Sequence, residues 1–150
     1  MAALAAALVS CGSQTAPQAA VPKKTELPKP PDESRFLPKA GLVESHVVDT
    51  PLLGKSFMPG GTVGHYKVGR QEFDMFVAKL PSAQDAAFLL PDLSKALGNS
   101  LLVPSFGGYF GDDGGKPVFV FPKGAWIAGV VGLPQKDADT QARALAGMLQ

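Results

Sequence analysis

The side chains able to do polar chemistry in this chain are few. His46 and His65 are the two histidines, and a nucleophile–base pair would have to recruit one of them beside a serine and an acid. Both lie in segments that read as strands. His65 alternates with Tyr66 and Val68, so it should point away from them. No serine sits in a G-x-S-x-G turn; Ser105 stands in Val-Pro-Ser-Phe-Gly. A hydrolase built on His46 or His65 is therefore the third of three functional readings. Metal binding could draw on His46, His65, Asp49 and Asp74, but no paired-ligand spacing is present, so no metal and no cofactor is expected. Asp112-Asp113-Gly114-Gly115 lacks the length and terminal Glu of a calcium loop and reads as a turn. Leu53-Gly54-Lys55-Ser56 contains G-K-S, yet position 49 is Asp where a phosphate loop needs Gly.

The remaining reactive group is a single thiol. Cys11 is the one cysteine of the chain, which excludes an intramolecular disulfide and any multi-cysteine metal site. It follows an uncharged apolar run from Ala2 to Val9, too short to span a bilayer but of the length of a signal-peptide core. Leu8-Val9-Ser10-Cys11 resembles the lipobox of bacterial lipoproteins. The resemblance implies a signal peptide over residues 1–10, a diacylglyceryl group on Cys11, and attachment to the membrane of a bacterial cell envelope. Gly12 and Ser13 after the cysteine, without Asp, favour the outer membrane where there are two. No Lys or Arg precedes the apolar run, so a true start upstream is expected. The alternative is an N-terminal apolar helix with a buried free cysteine.

Surface contact sites are suggested by apolar side chains. The segment from Thr50 to Thr62 carries Pro51, Pro59, Gly60 and Gly61 with Leu53, Phe57 and Met58, and long loops of this kind often carry function. Phe57 and Met58 are candidate contacts for a partner or ligand; the competing and favoured reading is that they fold back onto the domain. Phe106, Tyr109, Phe110, Phe119, Phe121 and Trp126 gather between positions 106 and 126. If helices cover one sheet face only, Tyr109, Phe119 and Trp126 become candidate contacts on the other; a two-sided core is the competing reading.

These groups must be positioned by the elements around them. Six prolines fall between Pro17 and Pro38 among small and polar residues, a composition that propagates neither helix nor sheet. Residues 11–40 read as the lipidated cysteine and a Pro-rich tether with a contour of up to roughly 90 Å. Phe36 and Leu37 mark where it docks. Residues 41–150 form one domain, long enough to bury a core. Strands are expected at Leu42 to Val48, Val63 to Gly69, Glu72 to Leu80, Gly107 to Gly111, Val118 to Phe121 and Ala125 to Leu133. The last is uncharged over nine residues and should be central and buried on both faces. Ser82 caps a helix whose apolar positions run to Leu97, broken by Pro91 into two short pieces or a kink. A final helix starts near Asp137 or Asp139 and buries Ala138, Ala142 and Leu145.

Strands, helix, strands and helix joined by hairpin turns indicate an α+β fold, an antiparallel sheet with two helical segments packed mainly on one face. Charge is nearly balanced, with 14 Lys+Arg against 13 Asp+Glu, so no basic footprint for nucleic acid exists. Forty-five per cent apolar residues exclude a wholly disordered chain. Phe76 to Gln150, with Ser82-Ala83-Gln84-Asp85-Ala86, Gly108-Tyr109-Phe110-Gly111 and Val118 through Trp126, resembles an uncharacterised domain of secreted bacterial proteins. That resemblance implies no activity. The leading reading is an envelope lipoprotein acting as a non-catalytic binding or adaptor module, its partner another envelope protein or a cell-wall polymer. The second is a carrier of an apolar small molecule in a cavity lined by Phe119, Trp126 and Leu89.

Overall fold

The structure, a computed structural model, describes residues 29–150. Its centre is one seven-stranded antiparallel sheet made of two meanders. The first contains β1 (Leu42–Val48), β2 (Gly61–Val68) and β3 (Gln71–Lys79). Helices α1 (Ala83–Phe88) and α2 (Leu90–Ala96) lead to the second, β4 (Gly98–Val103), β5 (Gly108–Asp113), β6 (Lys116–Lys123) and β7 (Trp126–Val131). Helix α3 (Gln135–Met148) closes the chain. The strand order is β1-β2-β3-β7-β6-β5-β4, so β3 and β7 join the two meanders and the edges are β1 and β4.

Turn chemistry sets these registers. Val68 pairs with Gln71 across Gly69-Arg70, and Asp113 with Lys116 across Gly114-Gly115. Both glycines of the second turn have positive φ, the backbone sign a tight hairpin needs. Ser82 caps α1 by accepting the Asp85 N–H at 3.1 Å. Pro91 sits in the first turn of α2, where its missing N–H has no intrahelical partner to lose, so the run divides at Leu89 as expected.

The α+β class and the antiparallel sheet stand as read from the sequence. The distribution of the helices differs from one-face packing. Successive residues of a strand point to opposite faces, and on β6 Phe119 and Phe121 join a core with Ala138, Ala142 and Leu145 of α3, while Val118 and Val120 join another with Leu93 of α2 and the adjoining Leu97. Each face of the sheet therefore has its own helical cover. The physical reason lies in the central strands: β6 and β7 are apolar on both sides, and each side needs a partner to leave water.

The tether boundary also moves. Phe36 packs its ring against Trp126 at a centroid distance of 4.7 Å, and Leu37 is fully buried on the α3 face. Tyr66 donates its hydroxyl to the Pro38 carbonyl at 2.7 Å, and the Glu33 N–H donates to buried Thr62 Oγ1 at 3.0 Å. The folded unit therefore begins upstream of Gly41. Docking by Phe36 and Leu37 is as expected; a domain start at residue 41 is corrected to one that includes this segment. Cys11 and the signal-like run lie outside the described residues.

Candidate functional site

Phe119 and Trp126, two of the five apolar contact candidates, are buried on the α3 face, and Met58 is buried on the α2 face. Trp126 donates its Nε1–H to the Gln150 carbonyl at 3.0 Å, which satisfies the indole inside the core. These three are core residues, a correction that follows from the two-sided cover. Phe57 and Tyr109 are half-buried against the α2 face and keep part of their surface in water. The loop that holds Phe57 folds back: Leu52 is buried, and Lys55 reaches Asp113 at 2.8 Å. Leu89 packs on the α2 face while Phe119 and Trp126 pack on the other, so the sheet separates the three. They do not line one cavity.

The histidines fare differently from each other. His46 stands opposite Val63 on the edge strand β1 and is exposed. His65 is directly opposite Asp74 in the β2–β3 register, and its Nδ1 lies 2.8 Å from Asp74 Oδ1. That hydrogen bond holds the imidazole pKa above its ordinary 6.5. With Nδ1 engaged, Nε2 is the nitrogen left to exchange a proton. Strand β7 ends at Val131, and the notch beyond it is a cleft of about 430 Å³ whose walls carry His65, Asp74, Glu72 and Lys116. Among the described residues, no serine, threonine or cysteine lines it. The pair is half of a nucleophile–base–acid arrangement, without the nucleophile. Among the described residues no three His, Cys, Asp or Glu side chains are grouped to hold a metal ion.

A second cleft, of about 410 Å³, opens between the C-terminal half of α3, the β6–β7 hairpin and the β4–β5 loop. Phe106 and Phe121 form its apolar part, and Ser105, Lys123 and Arg143 supply the polar groups. Arg143 makes contacts on two sides. Its Nε donates to Asp139 Oδ2 at 2.8 Å, one helical turn away, and its guanidinium carbon lies 5.2 Å from the centroid of the Phe106 ring. Phe106 in turn packs against Phe119 and Phe121 at 5.1 and 5.0 Å. Of the six clustered aromatics, Phe106 and Phe121 line this cleft. Arg143, Lys123 and Ser105 are absent from the sequence reading of the site, because α3, β6 and the β4–β5 loop converge only in three dimensions. The Asp139–Arg143 spacing of four residues was the available signal.

The class these features define is an antiparallel α+β domain with a core closed on both sheet faces and shallow clefts on its outside. No known protein family, curated protein or solved structure matches this chain.

Proposed function

We propose that this chain is a bacterial envelope lipoprotein, anchored through acyl groups on Cys11, whose α+β domain is a non-catalytic binding module. The observation that carries the reading is the two-sided core. Both faces of the sheet are filled by the chain's own side chains, so a partner meets the domain at its outer clefts and edges. The His65–Asp74 pair without a nucleophile in its cleft ranks hydrolysis below binding. The separation of Leu89 from Phe119 and Trp126 ranks the carrier below it too. The lipobox-like Leu8-Val9-Ser10-Cys11 supports the anchor. Each buried methylene contributes about 0.8 kcal/mol, and stable attachment takes at least two acyl chains. Gly12 and Ser13 favour the outer membrane in a two-membrane cell. The partner is an envelope protein or cell-wall polymer, and the Pro-rich segment lets the domain reach it.

Fractionation of cells tests the anchor. The native protein should stay with membranes after a high-salt wash, and Cys11→Ser should move to the soluble fraction. A Cys11→Ser protein that remains with the membranes would contradict it.

A further inference from the structure

We propose that the cleft between α3, the β6–β7 hairpin and the β4–β5 loop recognises a carboxylate presented by an acidic peptide segment of a partner protein. The inference rests on the binding-module reading and gives it a site and a ligand chemistry. Two cations, Lys123 and Arg143, line the cleft with Ser105, and among the described residues no acidic side chain lies on its lining. Asp139 approaches Arg143 from outside that lining and occupies one side of the guanidinium, taking Nε at 2.8 Å and Nη2 at 3.5 Å. The Nη1–Nη2 end keeps its donors, and that end is the planar fork to which a second carboxylate binds through both oxygens. Asp139 and the Phe106 ring favour this orientation of a guanidinium whose side chain stays mostly exposed, which reduces the side-chain entropy lost on binding.

Two further features bear on the occupant. Gly147, one turn after Arg143, lines the cleft within α3, and a Cβ built there would meet no atom within 4 Å. Neither its backbone sign nor its packing requires glycine, a residue disfavoured within helices. What its missing side chain does is keep this wall of the cleft low. Arg143 lies over one face of the Phe106 ring, which leaves less of that ring for a sugar to stack on, while the two cations suit a peptide carboxylate. The C-terminal end of α3 itself favours cations. Anion recognition here therefore depends on Lys123 and Arg143.

The test is a nuclear magnetic resonance titration of the full chain with penta-glutamate, and with penta-glutamine as the neutral match, at low salt. The Arg143 Nε–Hε and Gly147 amide signals should shift saturably with penta-glutamate and not with penta-glutamine. Arg143→Gln and Lys123→Ala should each weaken binding by about tenfold or more. Gly147→Glu, which places a charge in open space, should abolish binding without lowering the unfolding midpoint. The proposal is overturned if penta-glutamate moves no signal in the cleft, if penta-glutamine moves them equally, or if Arg143→Gln and Gly147→Glu bind as the native chain does. Any of those results leaves the Cys11 anchor standing, since fractionation reads it separately.

Discussion

His65 and Asp74 face each other across β2 and β3 with both side chains more than a third exposed, so solvent screens their attraction and the pair adds little stability. Its effect is on protonation. The Asp74 hydrogen bond raises the His65 pKa, and whatever stability the charged pair adds is fully present below the unfolded-state value near 6.5 and is lost as pH rises through the folded value. Asp74→Asn should bring the His65 pKa down, which a titration of the imidazole ring protons will read; an unchanged value would show that Asp74 is not the cause. Tyr66 behaves in the opposite range. Burial pushes its phenol up to about 12, so the fold favours the neutral form and loses stability as pH climbs from about 10 toward that value. Tyr66→Phe leaves the Pro38 carbonyl without its 2.7 Å partner and should cost about 1 kcal/mol in denaturant unfolding. No loss at all would mean that water replaces the hydroxyl.

The elements divide by how much of their own signal they carry. Strand β1 has the bounds read from the sequence, Leu42–Val48, and α1 and α2 meet where Pro91 requires a break. Strand β4 was not legible. Gly98-Asn99-Ser100-Leu101-Leu102-Val103 has no period-two pattern, begins with a bulge at positive-φ Asn99, and exposes Leu101 and Leu102 because it is an edge. Nothing in six such residues distinguishes a strand from a loop until β5 offers a partner. Helix α3 starts at Gln135, two residues before Asp137, with Pro134 at its N-cap position. The segment before β1 is an element in its own right. Leu37→Ala should cost about 2–5 kcal/mol, the range for a fully buried leucine, and a chain beginning at Gly41 should unfold at lower denaturant than one beginning at Lys29. Equal midpoints would contradict the docking. In β7, a Cβ at Gly129 would stand 2.5 Å from the Phe76 ring and 2.6 Å from the Phe119 carbonyl oxygen. Gly129→Ala should destabilise by about 1–3 kcal/mol, the range for overpacking.

At the scale of the whole molecule, the fold class was legible because hairpin turns and apolar runs are local signals. Cover on both faces was legible in part: the uncharged run from Ala125 to Leu133 already indicates a strand buried on two sides, and a helix on each face satisfies it. The candidate sites were less so. Phe119 and Trp126 have the composition of contact residues, but composition does not say which side of a sheet is covered. His65 and Asp74 are nine residues apart, and only the β2–β3 register makes them neighbours. Lys123 and Arg143 converge from separate elements.

A tethered domain that binds on its outside differs from a soluble carrier in what it weighs. The most direct measurement is the intact mass of the protein extracted from the envelope of its own cell, taken under native conditions and again after denaturation. The expected result is a covalent gain of acyl chains on Cys11 that survives denaturation, and no small-molecule adduct that denaturation removes. A free thiol at Cys11 would contradict the anchor, and a bound mass of a few hundred daltons lost on unfolding would replace the binding module with the carrier.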